Sequence, residues 1–248
     1  MCLLLIAVER LPGRPLVLLG NRDEFHGRAT LAAAPWPDAP GVVGGRDLEA
    51  GGSWLAANRN GRFAAVTNIR LADVRRGARS RGDLVREFAA GEMPAEPYLR
   101  ELSAHVEEYA PFNLVVADRE RAWCFESPTA RLTALTPGVH LVSNGPLDAP
   151  WPKMQRLRTL FEAAVSAGAD DAALLDLLRD RATPVDEDLP DTGVGLEKER
   201  FLSPVFVRSP IYGTRASTLA WRDADGRIGL RERSWDAAGE LAGEVSVA

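Results

Sequence analysis

The strongest constraint on the fold is an apolar run at residues 3–8, which begins directly behind Cys2. The run has the length of a buried strand and lacks the basic start and the long apolar stretch of a signal peptide. Turn residues between positions 11 and 15 separate it from a second apolar run at residues 16–20. These features predict a buried hairpin at the start of the chain, with Cys2 leading its first strand.

Strand pairs and helix pairs alternate along the rest of the chain. Asn60 and Gly61, which favour positive φ, give the clearest hairpin signal between runs at 53–57 and 62–68. Other strands are predicted at 112–117, 122–126, 139–143, 214–222 and 227–235. Helices are predicted at 80–90, 96–109, 151–167 and 170–181, the first with Ser80 as N-cap and Gly91 as its stop. Irregular structure is predicted at 21–47 and 182–199, with a frayed tail from about 239.

This order predicts an α+β fold in one domain over residues 1–248. Hairpins with helices inserted as pairs favour two packed antiparallel sheets with helices on their outer faces. Helix pairs on both outer faces would give a four-layer αββα sandwich. The pattern alone also permits one sheet with helices.

Composition narrows the function. The net charge is −5, whereas nucleic-acid binding needs a basic face, so a small-molecule substrate or ligand is the expected partner. No run approaches the ~18 apolar residues of a membrane helix, so a cytoplasmic protein without a membrane partner is expected. The two cysteines, Cys2 and Cys124, show no metal-ligand or CxxCH spacing, so no metal site, covalent haem or other cofactor is predicted. Nothing in the sequence indicates an oligomeric state.

Cys2 is the candidate nucleophile. An initiator Met is usually removed when the next side chain is small, and the chain would then begin with a thiol beside a free α-amine. An N-terminal amine has a pKa near ~7.7–8.0 and can act as a general base for its own side chain. The alternative is that Cys2 is a small apolar residue packed on a strand.

The segment Asn21-Arg22-Asp23-Glu24 follows the second predicted strand, so the hairpin returns it to the side of Cys2. Arg22 can then stabilise a thiolate, and Asp23 or Glu24 can orient the amine. The alternative is a solvated turn.

Three further residues complete the candidate site. Asn68 and Asn144 each end a predicted strand, where an amide can donate to an oxyanion or simply cap a turn. Arg215 enters a late strand among small residues, where it can stabilise a thiolate, bind a substrate carboxylate or form a cross-strand salt bridge.

Together these motifs resemble the NRDE-motif family, also called the transport and Golgi organisation family. The resemblance rests on Cys2, Asn21 to Glu24, Gly52-Ser53-Trp54, Asn60-Gly61, Thr67-Asn68, Phe112-Asn113-Leu114, Ser143-Asn144-Gly145 with Asp148 to Trp151, and Tyr212-Gly213-Thr214-Arg215. These motifs run in order over nearly the whole chain.

The resemblance implies an αββα fold of the N-terminal-nucleophile hydrolase type and a distant likeness to cysteine acylases. It assigns Cys2 as nucleophile and Asn144 as an oxyanion donor, with Asn68 and Arg215 matching less firmly. The acylase order has Arg first and Asp three residues later, whereas Arg22 and Asp23 are adjacent here. Either Asp23 or Glu24 can therefore be the acid.

Two functions of different kinds follow from these features. One is an N-terminal cysteine amidohydrolase that cleaves a linear, non-peptide amide of the N-acyl type. The other is a non-catalytic binding or trafficking protein for haem or an acyl ligand that uses the same cleft. His26, His105 and His140 are the candidate haem ligands, although no spacing distinguishes them.

Overall fold

The computed structural model describes residues 2–73 and 76–247. Its strands are β1 (Cys2–Leu11), β2 (Arg14–Phe25), β3 (Thr30–Pro35), β4 (Val42–Asp47), β5 (Leu55–Asn58), β6 (Arg62–Asn68), β7 (Phe112–Ala117), β8 (Ala122–Glu126), β9 (Arg131–Leu135), β10 (Gly138–Val142), β11 (Tyr212–Arg222), β12 (Ile228–Trp235) and β13 (Leu241–Val247). Its helices are α1 (Arg81–Ala90), α2 (Ala95–Ser103), α3 (Pro152–Ser166), α4 (Asp171–Leu177) and α5 (Leu196–Phe201).

The strands form two antiparallel sheets. Sheet I has the order β10-β1-β2-β11-β12-β13, and sheet II has the order β3-β4-β5-β6-β7-β8-β9. The hairpin predicted at the start of the chain is the β1–β2 pair, and it lies inside sheet I with β10 on one side and β11 on the other. The open end of the hairpin therefore lies between one strand from the middle of the sequence and one from its last part.

Sheet I is buried on both faces. Successive side chains of a strand point in opposite directions, so each strand supplies residues to both faces. Leu4 and Ile6 of β1 belong to the core between the two sheets. Leu3 and Leu5 belong to a separate core under α3 and α4. A strand buried on both sides has no polar alternation, which explains the continuous apolar run at residues 3–8.

Helices cover both outer faces. On sheet II, α1 packs through Leu84, Val85 and Phe88. On sheet I, α3 packs through Leu157 and Phe161. The fold is the predicted four-layer αββα sandwich, so the alternative of a single sheet is wrong.

Two of the predicted irregular regions contain strands. Within 21–47, β2 continues to Phe25, and β3 and β4 form the outermost pair of sheet II. The prolines there suggested a loop, but Pro35 ends the edge strand β3, where a residue without an N–H is tolerated. The tail is not frayed, since β13 pairs with β12 from Leu230 to Trp235.

Among residues 2–73 and 76–247, no helix is long and apolar enough to cross a membrane.

Candidate active site

The register of the first hairpin places Cys2 opposite Arg22. Both residues lie on the face of sheet I that is turned towards sheet II, because Cys2 shares the inter-sheet core with Leu4 and Ile6. The hydroxyl of Ser143, just beyond β10, donates to the Cys2 carbonyl oxygen over 2.9 Å and so fixes the start of β1. The backbone of Cys2 is therefore fixed at the start of β1, with its side chain between the two sheets.

A cavity of about 330 Å³ opens beside the thiol, and we call it the Cys2 cavity. Its lining includes Arg22, Asp23, Glu24, Trp54, Asn68 and Arg81. Four of the predicted site residues, Cys2, Arg22, Asp23 and Asn68, are therefore brought together around one space.

Burial dominates the acidity of the thiol. Cys2 is only 7% exposed, and burial raises the pKa of its thiol above the usual value. Asp23 and Glu24 also raise this pKa, whereas the Arg22 guanidinium lowers it. The predicted effect of Arg22 has the expected sign, but burial outweighs it. Thiolate formation is therefore favoured only when a further positive charge or a proton acceptor is present.

Arg22 is held in place by sheet II. Its Nη2 lies 3.0 Å from Oδ2 of Asp47, the last residue of β4, and Arg28 Nε binds the same oxygen over 2.6 Å. Burial by itself raises the pKa of Asp47, but the hydrogen bonds from Arg28 and from the Ala50 backbone leave it below its usual value. One ionised carboxylate thus bridges the two sheets at the cavity.

Asp23 and Glu24 differ in their surroundings. Asp23 lies on the opposite face of β2 from Arg22, is 2% exposed, and accepts a 2.7 Å hydrogen bond from the Thr214 hydroxyl. Burial raises the pKa of the Asp23 carboxyl. Glu24 is partly exposed and accepts a hydrogen bond from the backbone N–H of Phe25. The fixed, buried Asp23 is the better placed of the two acids to orient a group at the start of β1.

Buried charges lie behind Asp23, and the sequence reasoning missed them. Lys153 of α3 is 6% exposed and donates to the Leu202 carbonyl over 3.2 Å. Burial, assisted by the neighbouring Arg70 charge, lowers the pKa of Lys153 to about 8, while Asp23 partly offsets the shift. Arg70 is paired with Glu199 in the same interior. Asp23 therefore has positive charges beneath it, and these favour its ionised form.

The two predicted oxyanion donors are not equivalent. Asn68 lines the Cys2 cavity, and within the described part of the chain its side-chain amide has no hydrogen-bond partner. Asn144 is fully buried, and its Nδ2 donates to the Asn68 carbonyl over 2.8 Å. Asn144 is outside the cavity lining, so in this arrangement it supports the backbone of Asn68.

Arg215 lies outside the lining of the Cys2 cavity. It is the extra residue of a bulge in β11, between Thr214 and Ala216. Its Nη1 donates to the carbonyl oxygens of Phe25 and Arg28 over 2.9 and 2.8 Å. Arg215 thus ties down the turn after β2 and lines a neighbouring cavity that also contains Arg22.

Asn21 has a structural environment. It is fully buried, its Nδ2 donates to the carbonyls of Leu178 and Val205 over 2.8 and 2.9 Å, and its Oδ1 accepts from Ser217 over 2.6 Å. The side chain joins β2 to the segments that follow α4 and α5. All its bonds are directed away from the Cys2 cavity.

Arg81, at the start of α1, is another charged residue that sequence reasoning missed. It lines the Cys2 cavity, where burial lowers the pKa of its guanidinium overall, although the charges of Cys2 and Glu24 lie near enough to raise that pKa in part. A sequence signal was present for Arg81 and Lys153. Arg81 shares helical spacing with the apolar Leu84, Val85 and Phe88, and Lys153 shares it with Leu157 and Phe161, so each charge belongs to a buried face.

The three candidate haem ligands lie away from the Cys2 cavity. His140 is bonded to Asp148 and to the Thr136 carbonyl, and His26 lies 3.1 Å from the Ser209 carbonyl. His105 is exposed beside Glu108. The predicted removal of Met1 concerns a residue outside those described.

Comparison with known proteins identifies the family. Residues 1–237 match the sequence profile of the family described as Transport and Golgi organisation 2. The Transport and Golgi organization protein 2 homolog of Bos taurus is 34% identical over 238 residues, which cover 88% of this chain and 86% of that protein. The homolog of Homo sapiens is 33% identical over 237 residues with the same coverage.

Solved structures place the fold. A mutant of the conjugated bile acid hydrolase from Clostridium perfringens superposes with a TM-score of 0.56 at 10% identity, covering 100% of this chain and 92% of that one. The N-acylethanolamine-hydrolyzing acid amidase ortholog of Caenorhabditis elegans gives a TM-score of 0.50 at 10% identity, covering 88% and 92%. The chain belongs to the Transport and Golgi organisation 2 family and has the fold of the N-terminal-nucleophile hydrolases.

Proposed function

We propose that this protein is an N-terminal cysteine amidohydrolase that cleaves a linear, non-peptide amide of the N-acyl type. The observation that carries the proposal is the position of Cys2, which starts β1, faces Arg22 in register and opens onto a cavity that is also lined by Asn68. The two structural neighbours are named as a conjugated bile acid hydrolase and an N-acylethanolamine-hydrolyzing acid amidase, and these names agree with the proposal.

The proposed reaction begins when the α-amine of a chain that starts at Cys2 takes the thiol proton. The thiolate attacks the amide carbonyl carbon, and the tetrahedral oxyanion accepts a hydrogen bond from Asn68. Collapse breaks the C–N bond, and the α-ammonium returns the proton to the leaving amine. Water then hydrolyses the thioester, which releases the acid and restores the thiol.

The other residues have supporting roles in this proposal. Asp23 orients the α-amine, because it is buried and fixed by Thr214. Arg22 favours the thiolate, and it is itself held by Asp47. Asn144 positions Asn68, and Arg215 positions the turn after β2.

The test is hydrolysis of a panel of linear N-acyl amides by untagged protein, with the intact mass measured on the same sample. We expect a mass without Met1 and amide cleavage that is lost in Cys2→Ser. Cleavage that survives Cys2→Ser, or an intact Met1 on active protein, would refute the proposal.

The alternative, a carrier for haem or an acyl ligand, stays a prediction. No contact described above favours it over hydrolysis. It would gain support if the untagged protein bound such a ligand in the cavity and cleaved no amide.

A further inference from the structure

The Cys2 cavity is lined by more basic than acidic side chains, although the protein as a whole is negatively charged. Its lining contains five arginines among the described residues, at positions 22, 28, 76, 79 and 81, against the three carboxylates of Asp23, Glu24 and Asp47. The whole chain has a net charge of −5. A cleft lined by an excess of one sign concentrates ligands of the other sign.

Several of these arginines are engaged by carboxylates. Asp47 binds both Arg22 and Arg28, over 3.0 and 2.6 Å. Arg79 is paired with Glu87 and, over 3.4 Å, with Glu108. These side chains shape the cavity, but much of their charge is already compensated within the protein.

Arg81 differs from them. Its guanidinium makes one hydrogen bond, from Nη1 to the Pro111 carbonyl over 3.1 Å, and no carboxylate of the described residues lies within 4 Å. A guanidinium has five N–H donors, so most of the planar fork of Arg81 is unused. The side chain is half-buried, where an unpaired charge is unfavourable unless something compensates it.

The backbone around Arg81 is fixed by close packing. The Ser80 hydroxyl accepts from the Gly82 N–H over 3.2 Å and caps α1. Gly52 touches Gly82 so closely that a Cβ on Gly52 would lie 2.3 Å from the Gly82 carbonyl carbon. The first turn of α1 is therefore docked against sheet II, and Arg81 is held over the cavity before any ligand arrives.

We propose that Arg81 is the anion subsite of the Cys2 cavity, and that the amides cleaved there carry a carboxylate or another negatively charged group which its fork binds. This inference rests on the proposed function only in identifying the ligand as an amide substrate. The subsite itself can be tested without turnover.

The test uses two alkylating reagents that differ in charge. Iodoacetate carries a carboxylate and iodoacetamide is neutral, while both react with the same thiolate. The ratio of their rates at Cys2, read by peptide mass spectrometry, cancels the thiolate fraction and reports the charge preference of the cavity. The ratio is measured in the folded protein and again after unfolding in urea.

We expect folding to raise the iodoacetate-to-iodoacetamide ratio, and Arg81→Gln to lower it by about tenfold, the factor implied by loss of one charge-assisted hydrogen bond. Arg81→Lys should restore part of the preference. Arg86→Gln is the matched control, since Arg86 lies on the same helix with a side chain 47% exposed and outside the cavity. Circular dichroism checks that each variant is folded.

Two results would overturn the subsite. One is an equal fall in both rates in Arg81→Gln, because Arg81 would then act only on the thiolate. The other is an equal effect of Arg86→Gln on the ratio. If the ratio behaves as expected but no amide in the panel is cleaved, the subsite stands and the hydrolase proposal fails.

Discussion

Asn21 is the residue of the NRDE motif whose loss should weaken the fold most directly. Its side chain makes three buried hydrogen bonds, to the carbonyls of Leu178 and Val205 and from the hydroxyl of Ser217. Each such bond contributes about 1 kcal/mol net, so Asn21→Ala should lower the free energy of unfolding by about 3 kcal/mol. The loss rises towards ~5 kcal/mol if both carbonyls stay buried without water.

Urea unfolding, followed by tryptophan fluorescence and circular dichroism, measures this loss. Glu24→Gln is the matched control within the motif, because Glu24 is partly exposed, accepts a hydrogen bond from the next backbone N–H and has only a long ion pair, 4.0 Å, with Arg28 among the described residues. We expect that control to change stability by less than about 0.5 kcal/mol.

Ser217 supplies a second check. Its hydroxyl donates to Asn21 Oδ1 and accepts from Trp235 Nε1 over 2.9 Å, so the Asn21 and Ser217 replacements should be non-additive in a double-mutant cycle. A loss below about 1 kcal/mol in Asn21→Ala, or full additivity with Ser217→Ala, would show that the three bonds do not hold this junction together.

Three further predictions concern charge. Arg22→Met should raise the Cys2 pKa further, because Arg22 lowers it in the native protein; the pH profile of Cys2 alkylation measures this, and an unmoved profile would contradict it. Asp23→Asn should lower amide turnover at least tenfold while Glu24→Gln changes it little, and the reverse order in steady-state kinetics would move the orienting role to Glu24. The hydrogen bond to Asp148 raises the His140 pKa, so its contribution to stability is fully present below the unfolded pKa of ~6.5 and is lost as pH rises through the folded value. His140→Gln should flatten that decline in urea titrations from pH 6 upwards, and an unchanged slope would refute the assignment.

Local signals in the sequence were sufficient for much of the fold. Asn60 and Gly61 define the β5–β6 hairpin, where Gly61 has φ +93°, and Ser80 and Gly91 bound α1 as predicted. In each case the residue satisfies a backbone requirement within a few positions of itself. Such requirements can be read without knowledge of the rest of the chain.

Regions whose structure depends on distant partners were harder to predict. The β3–β4 pair exists because β5 offers an edge to Val42, Val43 and Gly44. The last strand, β13, is mostly exposed and is paired only with β12. Neither the β3–β4 pair nor β13 has a strong apolar pattern of its own, so pairing with neighbouring strands decides the structure of these segments.

The candidate site divides in the same way. Cys2 and Arg22 could be placed together because a hairpin fixes its own register. The bulge at Arg215 shifts the register of β11, and the resulting contacts with Phe25 and Arg28 depend on tertiary geometry that no local motif encodes. Arg81 reaches the cavity only because α1 is docked through Gly52 and Gly82.

Successive side chains of β2 point to opposite faces of the sheet, so neighbouring codons are under different kinds of selection. Arg22 faces the cavity, whereas Asn21, whose bonds run to the helix side, serves the fold whether or not any reaction takes place. A descendant that lost the catalytic activity would still need Asn21 in order to fold, whereas the residues that line the cavity could change to suit a new ligand. Persistence of Asn21 in a descendant would therefore be evidence that the fold is maintained, and catalysis would have to be judged from the residues around the Cys2 cavity, Asp23 included.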